Sequence, residues 1–271
     1  MKDMTTRVTA LAGLAIVAVL AGCDNKKNDT AADLPASDSS VHQGSSMVRL
    51  VNAVPSTEAV DLYADDADAF TGVAFKSVTP FKGIRDNMVT FRLRPTGSSV
   101  SDTTEPIAEN REMMSDGDRY TVVVLPGDPA DSGSHPKLRV LEEPTDAGDA
   151  TKARIRFVNA ARGLKSFDVF VPGNSDAFFD DVDFGTEAGY KDMAATSGVI
   201  QVRADNAPTV LLKVPERSFD AGKTYTIIIT NKSATGRQLE AITIEDEVPA
   251  ATTGATVPAG ASVNPDSAKS Y

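Results

Sequence analysis

Apolar and polar residues alternate over short stretches of this chain, and the stretches end in Gly, Pro, Asn or Asp. Val89-Thr90-Phe91-Arg92-Leu93 shows the pattern. A period of two predicts a β-strand that buries one face and wets the other. Val122-Val123-Val124-Leu125 and Ile227-Ile228-Ile229 have no polar alternate, which predicts central strands covered more completely. No long stretch has helical periodicity, so the expected fold class is all-β.

The blocks recur in order. Val48-Arg49-Leu50-Val51-Asn52-Ala53 reappears as Ile155-Arg156-Phe157-Val158-Asn159-Ala160, and nine residues after each Asn stands an Asp between apolar neighbours, Asp61 and Asp168. Val73-Ala74-Phe75 then matches Val182-Asp183-Phe184, each followed six residues on by an aromatic, Phe81 or Tyr190. The Val89–Leu93 block pairs with Val199–Arg203, and Gly117-Asp118-Arg119-Tyr120-Thr121 with Gly222-Lys223-Thr224-Tyr225-Thr226. The offset runs from 107 through 109 and 110 to 105. Order and spacing kept through five blocks point to a tandem duplication. About seven short strands in just under a hundred residues fit a two-sheet sandwich. The Gly-x-x-Tyr-Thr ahead of a strong strand is like the tyrosine corner of immunoglobulin-like sandwiches, which makes Tyr120 and Tyr225 structural anchors. The expectation is therefore two tandem immunoglobulin-like β-sandwich modules, 47–145 and 152–247, joined by the short linker Asp146–Thr151.

The N-terminus follows a different rule. Lys2 and Arg7 precede an uncharged apolar run from Val8 to Ala21, and Leu20-Ala21-Gly22-Cys23 holds the chain's one cysteine. This is the layout of a secretory signal ending in a lipobox. The expected product is a diacylglyceryl thioether on the Cys23 sulfur, with 1–22 cleaved, because a thiolate is the nucleophile that accepts the lipid. The run is shorter than the roughly 20 apolar residues of a membrane span; a cleaved signal without lipid is the competing reading. Two acyl chains are enough for stable anchoring. Asp24 is like the inner-membrane retention signal of enterobacteria-like sorting, a rule that varies between bacteria, so inner against outer membrane stays open. The polar stretch to Ser46 is expected to be a disordered tether, spanning about 25 Å as a random coil, and 248–271 a disordered tail.

Composition narrows the partners. With 38 Asp and Glu against 27 Lys and Arg the formal charge is −11, and cleavage before Cys23 removes one further net positive charge. Such a chain repels nucleic acid and anionic lipid, and no Lys/Arg stripe with interleaved aromatics offsets this. A lipidated Cys23 leaves no intrachain disulfide. His42 in the tether and His135 in a Gly/Ser/Pro loop have no nucleophile motif beside them, and neither Gly-x-Ser-x-Gly nor His-Glu-x-x-His occurs. The chain is therefore read as a non-catalytic protein without a cofactor.

Two acidic clusters qualify that reading. Asp65, Asp66 and Asp68 in the first module, and Asp176, Asp180, Asp181 and Asp183 in the second, follow the Asp-containing strand. Loop carboxylates are the ligands a hard cation such as calcium takes, although the spacing is not that of a 12-residue EF-hand loop; a solvated acidic loop is the plainer reading. Asp61 and Asp168 lie on the strand face opposite their apolar neighbours. They are read first as outward-facing carboxylates, next as buried groups satisfied by backbone N–H, and third as ligand contacts.

Val48-Arg49-Leu50-Val51-Asn52-Ala53-Val54-Pro55 with Ala59-Val60-Asp61-Leu62-Tyr63, continuing through Val73-Ala74-Phe75, Pro80-Phe81 and the Gly-x-x-Tyr-Thr corner, resembles the bacterial domain of unknown function 4397 family. Asn52 and Asn159 stand where family sequences often carry His, and Ala161-Arg162-Gly163 lacks the Pro. The resemblance implies a β-sandwich and an envelope location, and no reaction. The expected protein is lipid-anchored and extracytoplasmic, with a binding or structural role toward an envelope polymer, glycan or protein. The alternatives are a periplasmic assembly or chaperone-like factor, a calcium-dependent adhesive module and a carboxylate-based glycoside hydrolase.

Overall fold

The computed structural model describes residues 44–248 apart from 57, 86, 100, 131–133, 147 and 215–216. The expected signal sequence and lipobox with Cys23, His42 and the residues from 249 lie outside the described residues. Among the described residues there is no helix, and hence none long and apolar enough to cross a membrane.

The first half folds as eight strands: β1 (Ser45–Asn52), β2 (Val60–Ala64), β3 (Ala67–Val73), β4 (Lys82–Arg85), β5 (Asn87–Pro95), β6 (Ala108–Met114), β7 (Arg119–Leu125) and β8 (Lys137–Glu142). They form two sheets, β4-β1-β7-β8 and β3-β2-β5-β6. The second half folds as seven: β9 (Lys152–Ala160), β10 (Phe167–Phe170), β11 (Glu187–Ala194), β12 (Gln201–Ala204), β13 (Val210–Lys213), β14 (Thr224–Asn231) and β15 (Leu239–Asp246). Its sheets are β11-β9-β14-β15 and β10-β12-β13. Where the first half has β3, the second keeps one bridge, Val169 to Phe179. Strand β1 starts at Ser45, inside the stretch read as tether, and Ser46 is buried.

In both halves the first strand runs parallel to a late one: Leu50 lies opposite Val122, and Phe157 opposite Ile227. Strand β1 pairs with β4 and β7, not with β2. This order differs from the immunoglobulin arrangement, where the first two strands are neighbours. The tyrosines still tie back to the chain: the Tyr120 hydroxyl accepts the N–H of Ser115, and that of Tyr225 the N–H of Asp220, each at 3.1 Å. The turn before each demands positive φ, which Gly117 and Gly222 supply at 79° and 73°.

Each sandwich has its own core. Val48, Leu50, Leu62, Phe91, Leu93, Val122 and Val124 fill the first, and Ile155, Phe157, Phe167, Val202, Ile227 and Ile229 the second. The alternate positions on the same inner strands are buried too. Val51, Ala53, Val123, Leu125 and Leu141 from the first half pack against Val158, Ala160, Ile228, Ile242 and Ile244 from the second. The sheet β4-β1-β7-β8 thus lies against β11-β9-β14-β15, giving four stacked layers. Burial of a branched side chain here contributes roughly 1.5–3 kcal/mol. Sheets covered on both faces tolerate continuous apolar runs and parallel pairs, which explains the unbroken sequences of β7 and β14.

Candidate functional site

Polar residues repeated between the halves are engaged in matching ways. The Asn52 side chain donates to the Val73 carbonyl at 3.0 Å and accepts from the Val54 N–H at 3.0 Å. Asn159 donates to Val182 O at 2.9 Å and accepts from Ala161 N at 3.0 Å. Both Asn therefore pin the chain leaving the inner strand. Asp61 and Asp168 are buried, at 3% and 4% exposure, so the outward-facing expectation fails. Alternation assigns the face correctly, but two turns cover that face. The Asp61 carboxylate accepts Gly72 N at 2.6 Å, Gly97 N at 2.8 Å and the Thr96 hydroxyl at 3.2 Å. Asp168 accepts Asp181 N at 3.1 Å and Asn206 N at 3.0 Å. A buried carboxylate is tolerated when such donors satisfy it.

A second polar group, absent from the sequence expectations, sits between the sandwiches. Arg49 and Arg156, at equivalent places on β1 and β9, point into the shared interface, where they are 4% and 2% exposed. Each donates from Nε to a threonine on its neighbouring strand at 2.7 Å, Arg49 to Thr121 and Arg156 to Thr226. Each also reaches across: Arg49 to Asp246 at 2.5 Å, and Arg156 to Glu143 at 2.7 Å. Glu143 takes a second contact from Arg49 at 3.2 Å and a hydrogen bond from Thr121. The aromatics that follow the Val-x-Phe blocks cover the guanidiniums, Phe81 at 4.9 Å from Arg49 and Tyr190 at 4.5 Å from Arg156. The Tyr190 hydroxyl lies 3.0 Å from Asp246 Oδ2 and 3.3 Å from Glu143 Oε2. Burial pushes the Tyr190 hydroxyl far above its ordinary pKa, so it stays a donor. Burial, followed by the Glu143 charge, raises Asp246 against the pull of both arginines. Two positive and two negative groups make this center neutral overall.

The acidic expectations come out unevenly. In the first half Asp65 Oδ1 accepts the N–H of Thr90, Asp66 lies 3.7 Å from Arg92, and Asp68 offers its backbone carbonyl to Lys82. Among the described residues they are not gathered into a ligand set. In the second half Asp176 and Asp180 line an open groove of about 610 Å³ beside Asp168, Phe170 and Arg203, while Asp183 faces a different groove with Asp128 and Lys165. Asp181 alone joins a cluster: one carboxylate oxygen each from Asp168, Asp181 and Asp205 lies within 4.8 Å of the others. Asp205 was not singled out in the sequence. Its counterpart is Thr96, since the next residue in each half, Gly97 or Asn206, gives its N–H to Asp61 or Asp168; the counterpart of Asp181 is Gly72, whose N–H meets Asp61 as that of Asp181 meets Asp168. In the first half, then, a hydroxyl and a glycine surround the buried carboxylate; in the second, two further carboxylates do. These three are the residues whose oxygens could meet a hard cation.

Crowding of charge has a measurable result. Hydrogen bonding with Asp205, and then its charge, raises the Asp181 carboxyl above its ordinary value. A carboxyl with a raised folded-state pKa adds stability that is full below the unfolded value and is lost as pH rises through the folded one. Asp205→Asn removes this: in a carboxyl-carbon NMR titration the Asp181 midpoint falls back toward the ordinary aspartate range. A midpoint that does not move would contradict the arrangement.

Residues 46–170 match the model of a domain of unknown function, DUF4397. No curated protein matches the chain. Among the solved structures it is similar to is "Alpha-glucan binding by a streptococcal virulence factor", at 9% identity over 70% of this chain and 95% of that one, with a TM-score of 0.22. At that score the likeness carries no argument about fold or ligand.

Proposed function

We propose that this chain is a lipid-anchored, extracytoplasmic protein of the bacterial cell envelope. In this reading it carries two DUF4397-like modules in tandem and acts by binding or as a structural element, not by catalysis. Leu20-Ala21-Gly22-Cys23, with no other cysteine in 271 residues, is the observation that carries the anchor. Two features of the body support the rest. Asp61, Asp168, Glu143 and Asp246, the buried carboxylates among the described residues, hold backbone N–H groups, hydroxyls or arginines. Both described chain ends leave from one place: Ser45 accepts the N–H of Gly117, and the Arg119 side chain donates to the Glu247 carbonyl at 2.8 Å.

The test is metabolic labelling with a palmitate analog in cells producing the full chain, followed by membrane fractionation. The wild type takes up label and pellets with membranes; Cys23→Ser loses label and is recovered as the larger, uncleaved precursor. Label retained by Cys23→Ser, or none on the wild type, would refute the anchor.

A further inference from the structure

The two sandwiches treat one side differently. In the first, the seven-residue β6 runs along the edge strand β8 of the facing sheet, and the Asn110 side chain donates to the Leu138 carbonyl at 3.0 Å, closing the gap. In the second, β13 stands where β6 does but has four residues. The edge strand β15 is eight residues long and is paired on one side, by β14. Between β13 and β15 a groove of about 540 Å³ opens, with Leu164, Val210, Leu211 and Leu239 along it. Val210 is 41% exposed.

Three polar groups in this groove lack something. Asn231, at the end of β14 and 3% exposed, donates to the carbonyls of Gly236 at 3.2 Å and Arg162 at 3.4 Å. These bonds fix its orientation and leave its Oδ1 buried with no donor. A buried acceptor without a partner is costly and suits an incoming N–H. Arg162 and Arg237 lie at the same groove, and among the described residues no ion pair or side-chain hydrogen bond engages either guanidinium. In a chain of net charge −11, two arginines on one groove, unengaged among the described residues, select for a carboxylate.

We propose that the open edge between β13 and β15 binds an extended, acidic peptide segment of a partner protein by strand addition. The partner's main chain pairs with the free side of β15, as edge strands allow. A carboxylate side chain meets Arg162 or Arg237 at the groove, and alternate apolar side chains rest on Val210, Leu211 and Leu239. An aliphatic floor between two sheet edges fits a peptide better than a sugar, whose rings stack on aromatic faces. This inference rests on the binding role proposed above but not on the anchor.

The test uses the full chain purified in detergent and a fluorescein-labelled octapeptide of alternating valine and aspartate, read by fluorescence polarization. Its counterparts are a valine–lysine octapeptide and trigalacturonate as a competitor. The expected result is saturable binding of the acidic peptide, none of the lysine peptide, and a loss of about tenfold or more in the exposed double variant Arg162→Ser/Arg237→Ser. Val210→Asp on the β13 edge weakens binding as well. Absence of saturable binding, or binding that both variants leave unchanged, overturns the proposal. So does arginine-dependent binding of trigalacturonate without any of the peptide, which would assign the groove to an acidic glycan. Lipidation is read in a separate assay, so a failed anchor and a failed groove are distinguishable.

Discussion

Glu143→Ala should lower the unfolding free energy by about 3–5 kcal/mol, the range for removing one partner from a buried ionic group. Glu143 is 3% exposed and is approached by Arg156, Arg49, Thr121 and Tyr190. Its loss leaves two buried guanidiniums facing one carboxylate, Asp246, in a space closed to water. Coulombic attraction alone does not set the size of the effect. Placing four charges between two sheets already costs desolvation, and the favorable geometry only offsets it. Replacing Arg49, Arg156, Glu143 and Asp246 together by apolar residues of similar volume is therefore expected to cost far less than the single change. Urea unfolding of the variants measures both. The surface pair between Arg92 and Glu109, 3.0 Å apart, is the control, with an expected effect within about 1 kcal/mol. A Glu143→Ala protein as stable as wild type would show that the two sandwiches are not held through this center.

Phe157→Ala should cost a similar amount, about 3–5 kcal/mol, for a different reason. Phe157 is fully buried, with ring centers 5.6 Å from Phe179 and 6.4 Å from Phe167. Its neighbors on β9, Arg156 and Val158, point the other way, into the interface. The truncation leaves a cavity between the two sheets of the second sandwich, where β strands paired on both sides cannot collapse onto it. Thermal or urea unfolding checks the magnitude. A loss under about 1 kcal/mol would mean the core rearranges to fill the space, contrary to the packing described.

Much of this architecture is legible in the sequence because strand periodicity and repetition are local signals. Three of the repeated blocks carry matching bonds, Asn52 with Asn159, Asp61 with Asp168, and Tyr120 with Tyr225, whereas the Val89–Leu93 block is one residue out of step with Val199–Arg203, since Leu93 lies opposite Leu62 and its equivalent Val202 opposite Val169. The interface is not legible, since alternation separates two faces without saying whether water or another sheet covers the second. Arg49 and Arg156 at alternate positions look like solvent-facing residues. The signal against that was present: Val51, Val123, Val158 and Ile228 are apolar on the face those arginines share. Phe81 and Tyr190 also repeat at matched places, which gains a meaning only once they are seen to cover the guanidiniums. The acidic triad is partly legible for a related reason. Clustering along the chain singles out Asp176, Asp180, Asp181 and Asp183, whereas Asp205, which joins Asp168 and Asp181, comes from the turn after β12. Aligning Asp205 with Thr96 across the repeat is the step that would have found it.

Differential scanning calorimetry of the full chain tests most directly the claim that the two sandwiches form one body through a shared apolar layer and a neutral ionic center. One cooperative transition is expected, with calorimetric and van't Hoff enthalpies in agreement, and Glu143→Ala splits or broadens it. Two resolved transitions in the wild type, or a calorimetric enthalpy about twice the van't Hoff value, would mean the sandwiches unfold independently and would contradict it.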